Sequence, residues 1–291
     1  MAKNMILVTG ATGNVGRQVV SQLAQSGRQV RALTRHPGQS GLPTGAEVVH
    51  GDLAQPDSVA ASLEGVEAVF LMWPLPRLET LPAILDSIRK HASRIVLLSS
   101  SAVRDGLAQQ ETPIGQAHAD LENYVQKSGI EWTLLRPGAF AANSLRWWAP
   151  QIWAGDVVRW PYAAAAMAPI HERDIAAVAV RALTEKGHAG AKYLLTGPQA
   201  LTNADQVRTI GEAIERPLRL EEIPAESARQ EMFRFMPPVI ADVLLEFWAK
   251  AVHEPATVTR TVEQVTGAPA HTLREWALDH AAEFRSRAQA A

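Results

Sequence analysis

Short apolar runs alternate with longer amphipathic stretches through the first half of the chain. The runs cover residues 5–9, 29–34, 46–50, 68–72, 94–99 and 132–135. Between them, apolar residues recur with helical spacing over 15–25, 57–63, 80–91 and 116–127. Several runs are continuous rather than alternating, as in strands that helices cover on both faces. The pattern predicts an α/β fold of the Rossmann type, with a doubly wound parallel sheet.

After Pro137 the pattern changes. Residues 171–186 predict another helix and 191–197 a late strand, and from Asn203 onward the pattern is mostly helical. We find no internal repeat, low-complexity tract or flexible linker. We therefore predict a first domain over residues 1–140. Residues 141–291 would partly complete the sheet and partly form a smaller, mostly helical substrate lobe.

A glycine-rich turn follows the first predicted strand and leads directly into the first predicted helix. Gly10 would permit the tight turn, Gly13 the approach of a pyrophosphate, and Gly16 close packing of helix against strand. The helix start offers free amides and a positive dipole end to phosphates. This context predicts a dinucleotide site, because glycine spacing carries weight only between a strand and a helix. Its residues would be Gly10, Thr12, Gly13, Asn14, Val15 and Gly16.

The end of the second strand distinguishes between the two nicotinamide dinucleotides. A site for NAD places a carboxylate here for the ribose hydroxyls, whereas a site for NADP places an arginine. This chain has Arg35 and no acid, and a guanidinium pairs well with a 2′-phosphate. We therefore predict NADP(H), with a solvent-facing surface arginine as the alternative.

Asp52 and Leu53 follow the third predicted strand. Asp52 would accept a hydrogen bond from the adenine amino group, and Leu53 would pack against the ring. The alternative is that Asp52 caps the next helix, which the sequence that follows it makes credible.

Taken together, the motifs TGATGNVG, VRALTR, GDL, VFLMWP, SGIEWTLLRPGAF, HERDIAAVAVRAL and YLLTGPQALT give the chain a family resemblance. It resembles the NmrA-like branch of the atypical short-chain dehydrogenases and reductases. That family includes NADPH-dependent quinone, azo-dye and triphenylmethane-dye reductases, and also non-catalytic regulators that sense the dinucleotide.

The resemblance implies further contacts. Leu71, Met72 and Trp73 would line the cofactor after the fourth strand, and Ser99 would lie beneath the nicotinamide. Pro137 would lie against the nicotinamide, at the start of a segment that reaches the substrate pocket. Phe140, Asn143 and Trp147 would form a substrate wall suited to a flat or aromatic small molecule.

The resemblance also locates the usual catalytic pair, a tyrosine and a lysine one helical turn apart. These two positions fall on Ile114 and His118. Ile114 has no proton to give, so standard carbonyl reduction is in doubt. His118 can hold a ribose hydroxyl, and clamping the cofactor fits it better than donating a proton.

The expected function is NADPH-dependent hydride transfer to a small conjugated acceptor of the quinone, azo, imine or enone type. Such acceptors need little help with the proton, which solvent can supply. The alternative is a non-catalytic NADP(H)-sensing regulator that binds a protein partner. A third and weaker reading is an epimerase, dehydratase or isomerase.

Composition narrows the remaining choices. The net charge of -2 offers no basic face for nucleic acid, and the absence of cysteine excludes disulfides and thiolate chemistry. No apolar run approaches the roughly 20 residues of a membrane span, and the first strand leaves no room for a signal peptide. We expect a cytoplasmic protein without a bound metal ion. The amphipathic residues 233–248 could form the interface of a homodimer.

Overall fold

The computed structural model describes residues 5–74 and 77–285. In chain order, its strands are β1 (Met5–Val8), β2 (Gln29–Thr34), β3 (Ala46–His50), β4 (Val66–Leu71), β5 (Arg94–Leu98), β6 (Glu131–Pro137), β7 (Val157–Trp160), β8 (Ala166–Met167), β9 (Lys192–Leu195), β10 (Leu201–Thr202) and β11 (Arg219–Glu222). Its helices are α1 (Asn14–Gln25), α2 (Pro56–Ala60), α3 (Leu81–His91), α4 (Pro113–Lys127), α5 (Asn143–Ala154), α6 (Glu172–Thr184), α7 (Asn203–Ala213), α8 (Ala225–Met232), α9 (Pro238–Ala251), α10 (Thr261–Thr266), α11 (Leu273–Asp279) and α12 (Ala281–Arg285).

Two compact units can be distinguished. The first contains the chain up to Pro137 together with Glu172–Leu195 and Thr261–Gly267. The second contains Gly138–His171, Thr196–Arg260 and the chain from Ala268 onward. Each unit has its own hydrophobic core, and the predicted division at residue 140 stays a prediction.

The first unit is built on a seven-stranded sheet in the order β3-β2-β1-β4-β5-β6-β9. Every strand pair in it is parallel. Helix α1 packs against α6, and α3 packs against α2 and α4. Strand order reverses direction between β1 and β4, and ligands of such sheets bind outside the carboxyl ends of the strands at this reversal. The predicted Rossmann-type fold is therefore confirmed.

The second unit packs helices around a core rich in tryptophan. Trp148, Trp248 and Trp276 are fully buried in it. Two short strand pairs complete the unit: β8 with β10 antiparallel, and β7 with β11 parallel. Helix α5 was not among the predicted elements, although it carries the predicted substrate residues Asn143 and Trp147.

Element boundaries differ from the predicted ones mainly at helix starts. The fourth helix was expected from residue 116 but begins at Pro113. Thr112 caps it by accepting from the Gly115 amide at 3.0 Å, and Pro113 suits the first helical turn, where no amide is needed. Among the described residues, no helix is both long and apolar enough to cross a bilayer.

Candidate functional site

The turn between β1 and α1 depends sterically on two of its glycines. Gly10 has a φ of 59°, in the left-handed region that glycine adopts without strain. A side chain on Gly16 would overlap the carbonyl oxygen of Gly10, so the helix can approach the strand only with glycine there. Gly13 is less confined, because a Cβ there would lie 3.4 Å from that oxygen. The turn thus brings the helix start against the sheet and leaves room beside Gly13.

The first turn of α1 leaves its backbone amides without a side-chain acceptor. Gly13 caps the helix with no side-chain hydrogen bond, and the first turn holds no acidic residue. Thr12 and Asn14 are exposed beside it, whereas Val15 is buried in the core. Unpaired amides at the positive end of a helix dipole form an anion site. The arrangement fits the phosphates of a dinucleotide.

Thr9 joins the carboxyl ends of β1 and β4 at the point where strand order reverses. Its hydroxyl accepts from the Met72 amide at 2.8 Å and lies 3.1 Å from the Met72 carbonyl oxygen. The Thr9 amide also donates to the Phe70 carbonyl at 3.0 Å. Thr9 was absent from the predicted site, although a threonine directly before a glycine turn is a usable signal. It fixes Met72 beside Gly10.

The three predicted residues that follow from β4 have different exposures. Leu71 is fully buried in the core, so its side chain supports the site from behind. Met72 and Trp73 are half-buried. The indole nitrogen of Trp73 donates to the Arg77 carbonyl at 3.1 Å, which fixes the ring. Of the three side chains, Met72 and Trp73 are therefore the ones a ligand can reach.

Arg35 lies just beyond β2, exposed to solvent, and has no hydrogen-bond or ion-pair partner among the described residues. Arg31, in the same strand, is committed elsewhere. It donates to the carbonyls of Ser62 and Glu64 at 2.6 and 2.8 Å and pairs with Glu47 at 3.0 Å. Of the two arginines, only Arg35 keeps its donors available for a phosphate.

Arg17 is a residue that the sequence reading missed. From the first turns of α1 it donates to the carbonyls of Gly41 and Ser40, at 2.7 and 3.2 Å. These bonds hold the segment that follows β2 against the helix. Arg17 thereby fixes the loop just beyond Arg35, and no spacing rule identifies such a contact.

Asp52 forms hydrogen bonds within its own turn, after β3. One carboxylate oxygen accepts from the Ala54 amide at 2.9 Å, and the Asp52 amide donates to the Ser58 hydroxyl at 2.9 Å. This is a turn-forming role but not the helix cap given as the alternative, because Gln55 precedes α2 and no side chain caps that helix. Leu53 is 6% exposed and packs in the core of the first unit. Adenine contact by this pair stays a prediction.

Helix α4 carries Ile114 and His118 one turn apart, both half-buried. The Nδ1 atom of His118 is buried and has no hydrogen-bond partner among the described residues. Burial lowers the pKa of His118 below its usual 6.5, and the charge of Glu122 only partly opposes this. The imidazole is therefore neutral near pH 7, which suits a hydrogen bond to a ribose hydroxyl better than proton donation.

One turn further along α4, Glu122 is the centre of a buried polar network. Its carboxylate accepts from the Ser99 hydroxyl at 2.5 Å and from Arg136 at 2.6 and 2.8 Å. Glu122 is 2% exposed and Ser99 is 4% exposed. Since the single hydroxyl proton of Ser99 goes to Glu122, this serine can only accept hydrogen bonds from a ligand.

The network continues outward through Asp105. Arg136 donates to both carboxylate oxygens of Asp105 at 3.0 Å, and Lys192 donates to one of them at 2.6 Å. Hydrogen bonds from these two cations lower the pKa of Asp105 to about 2. Beside Arg136, Pro137 ends β6, and its carbonyl accepts from the Ser101 amide at 3.0 Å. The network joins β6, β9 and α4 to the segment after β5, and apart from Ser99 and Pro137 none of it was in the predicted site.

The predicted substrate residues all lie in the second unit. Phe140 is half-buried and bridges to Ile170, and Asn143 opens α5. Trp147 stacks on Trp160, with ring centres 5.7 Å apart, and meets Trp248 edge-on at 5.3 Å. The three residues thus belong to one helix and the segment before it, and their role as a substrate wall stays a prediction.

No group of three or more histidine, aspartate or glutamate side chains within the described ranges is arranged to hold a metal ion.

Comparisons with known proteins identify the family. A family model described as NAD(P)H-binding matches residues 10–186. A (4-alkanoyl-5-oxo-2,5-dihydrofuran-3-yl)methyl phosphate reductase from Streptomyces griseus is 38% identical over 283 residues, which cover 96% of this chain and 99% of the relative. An NAD(P)H azoreductase from Xenophilus azovorans is 35% identical over 292 residues, with 96% and 99% covered.

The fold recurs in solved structures of lower identity. An NADPH-dependent quinone oxidoreductase from Escherichia coli superposes with a TM-score of 0.75 at 23% identity, covering 94% of this chain and 98% of that one. A Citrobacter triphenylmethane reductase, solved with NADP(H), gives 0.74 at 19% identity, with 95% and 99% covered. Both share the architecture described above. The chain belongs to the NAD(P)H-binding family, within the NmrA-like branch of the atypical short-chain dehydrogenases and reductases, and is an oxidoreductase.

Proposed function

We propose that the protein is an NADPH-dependent reductase that transfers hydride to a small conjugated acceptor of the quinone, azo, imine or enone type. In this proposal Gly10, Gly13 and Gly16 receive the pyrophosphate at the start of α1. Arg35 pairs with the 2′-phosphate, and His118 holds the nicotinamide ribose. Phe140, Asn143 and Trp147 contact the acceptor.

The observation that carries the proposal is the pair of side chains on α4. Ile114 offers no proton, and His118 is neutral near pH 7 because burial lowers its pKa. A carbonyl that must be protonated as it is reduced would gain little from such a helix. Quinones, azo bonds and activated alkenes accept hydride without a strong acid, and water protonates the product.

The names of the relatives support this choice of acceptor. The Xenophilus azovorans relative is named as an azoreductase, and an Escherichia coli relative, 30% identical over 204 residues, as a quinone oxidoreductase. The name of the Streptomyces griseus relative describes an unsaturated lactone. Azo bonds, quinones and unsaturated lactones all offer an electron-poor conjugated centre.

The preference for NADPH over NADH rests on Arg35. Its guanidinium has no partner among the described residues, so a phosphate would not have to displace an existing bond. The site has no carboxylate at this position to bind the 2′-hydroxyl of NADH.

The residues present fit the dinucleotide. The uncapped start of α1 supplies unpaired amides for its phosphates, and the half-buried imidazole of His118 supplies a polar partner for its ribose. When bound, NADPH supplies the hydride. The chain itself binds and orients, since hydride transfer requires chiefly that donor and acceptor be held together. A cytoplasmic location and a homodimer stay predictions.

The test is a spectrophotometric assay of NADPH oxidation against quinones, azo dyes, imines and enones, with NADPH binding measured in parallel. We expect turnover with at least one of these classes, and no turnover with simple ketones. Tight NADPH binding without oxidation by any acceptor would refute the reductase and favour the dinucleotide-sensing regulator. The Ile114→Tyr variant is the matched comparison in this assay. It places a proton donor at the position of the family's usual catalytic tyrosine and leaves the glycine turn unchanged.

A further inference from the structure

The second unit contains a cavity of about 270 Å³ whose lining comes from α5, β7, Ile223, and α8 with the residues that follow it. Its volume lies just below the roughly 300–1,000 Å³ of small-ligand sites. Its lining includes aromatic and apolar side chains, among them Trp147, Trp160 and Met232. It also includes three arginines, Arg146, Arg159 and Arg234. A cavity of this size and mixed lining suits a compact ligand.

The aromatic wall is rigid. Trp147 and Trp160 are stacked at an interplanar angle of 24°, and Trp248 packs edge-on against both. Trp160 is 4% exposed, whereas Trp147 is half-buried and keeps ring surface available. The indole nitrogen of Trp160 is buried without a partner among the described residues. A fixed aromatic plane is a suitable wall for a flat ring.

Two of the three arginines that line the cavity form no ion pair with a described residue. Arg159 is paired with Glu221 at 3.1 Å. Arg146 donates to the carbonyl of Phe235 and lies over its ring, but it forms no ion pair with a described residue. Arg234 is exposed and makes no side-chain hydrogen bond or ion pair within the described ranges. Glu231 is the one acid in the lining. Arg234 is therefore available to a ligand, and Arg146 can offer the donors that it does not use on Phe235.

We propose that this cavity binds a ligand with one or two unsaturated rings and an attached anionic group, such as a carboxylate, sulfonate or phosphate. The ring lies on Trp147, and the anion is held by Arg146 and Arg234. Guanidinium groups bind such anions through paired, charge-assisted hydrogen bonds. The inference rests on the proposed function only in identifying this ligand with the acceptor, because Trp147 belongs to the proposed substrate wall.

The binding test compares two fluorescent dyes that share a ring system. One is 5-(dimethylamino)naphthalene-1-sulfonate, and the other is its uncharged analogue 5-(dimethylamino)naphthalene-1-sulfonamide. Saturating NADP⁺ is present so that the dinucleotide site is filled. We expect the sulfonate to bind about tenfold more tightly than the neutral dye, and Arg234→Gln to remove about tenfold of its affinity. Trp147→Leu should weaken both dyes.

The matched control is Arg208→Gln, which removes an exposed cation of the same unit outside the cavity. Thermal unfolding of each variant confirms that it is folded, and Arg146→Gln replaces Arg234→Gln if the latter is not. Equal affinity for the two dyes, or equal losses from Arg208→Gln and the cavity variants, would overturn the inference.

NADPH oxidation by neutral and sulfonated naphthoquinones separates this inference from the proposed function. If acceptors oxidise NADPH but the charged and uncharged dyes bind with equal affinity, the inference about the cavity is wrong and the proposed reductase function is supported. If dye binding follows Arg234 and Trp147 but no acceptor oxidises NADPH, the reductase fails and the ligand site stands. Preferential turnover of the sulfonated acceptor, lost in Arg234→Gln, would support both.

Discussion

The turn after β1 and the end of β5 lie at the same edge of one parallel sheet, yet their polar groups are used differently. At the turn, α1 begins without a cap or an acid, and Arg35 has no partner among the described residues. At the end of β5, Ser99 and Arg136 both donate to the carboxylate of Glu122, at distances of 2.5–2.8 Å. Both regions were predicted to contact the dinucleotide.

The difference separates residues that bind from residues that support. A donor without a partner can bind a ligand at little cost, whereas a donor already bonded must first break that bond. By this criterion we propose the glycine turn and Arg35 as the phosphate site. Ser99 belongs to the frame that fixes α4, and with it His118, against the sheet.

The largest effect should come from a steric block in the turn after β1. Gly16→Ala places a methyl group against the carbonyl of Gly10 and forces α1 away from the sheet. We expect a loss of about 3 kcal/mol in unfolding free energy and of about 100-fold in NADPH affinity. Denaturant unfolding and cofactor titration measure the two losses. Gly38→Ala, where an added Cβ meets nothing within 4 Å, is the control and should change neither.

Breaking the buried network of Ser99, Glu122 and Arg136 should mainly lower the free energy of unfolding. Glu122→Gln leaves the buried Arg136 without its main carboxylate, and removal of one partner from a buried pair costs about 3 kcal/mol. Glu131→Gln breaks a similar bond, with Arg94 at 2.8 Å, but its carboxylate is 39% exposed. We expect less than about 1 kcal/mol there. Equal losses in urea unfolding would show that the buried network is not a special support.

His118 lies on α4, one turn before Glu122, and supplies a pH dependence. Burial lowers its folded-state pKa, so the unfolded chain takes up a proton first as pH falls. Its contribution to stability is therefore present above the unfolded pKa of about 6.5 and is lost as pH falls below that value. Unfolding measured at about pH 7.5 and about pH 5.5 should show a smaller change for His118→Asn than for the wild-type chain. An equal or larger change would contradict the buried neutral imidazole.

The smallest effect should come from the outer edge of the network. The pKa of Asp105 is lowered to about 2 by hydrogen bonds from Arg136 and Lys192. The stabilisation is complete above the ordinary pKa of about 3.8 and is lost as pH falls through about 2. Because this side chain is 60% exposed, Asp105→Asn should cost less than about 1 kcal/mol near pH 7. Acid unfolding at an unchanged pH in this variant would show that Asp105 contributes nothing.

Much of the first unit could be predicted from the sequence, because its signals are local. Continuous apolar runs give buried strands, and Gly10 and Gly16 have steric reasons that their spacing already suggests. The Glu122 network could not be predicted this way. Its members come from α4, β6 and β9 and the segment after β5, and only the sheet order brings them together. Helix α5 was missed because its apolar tryptophans pack on several sides, which hides the helical period.

The most direct test of this account is a titration of NADPH into Arg35→Ala and Ser99→Ala, with wild-type protein alongside. Arg35→Ala removes an available partner of the phosphate and should weaken NADPH at least tenfold while leaving NADH unchanged. Ser99→Ala removes a hydroxyl whose proton already goes to Glu122, and it should keep NADPH affinity within about twofold. A large loss of NADPH affinity in Ser99→Ala, together with no loss in Arg35→Ala, would contradict the division between polar groups that have no partner and polar groups that are already hydrogen-bonded.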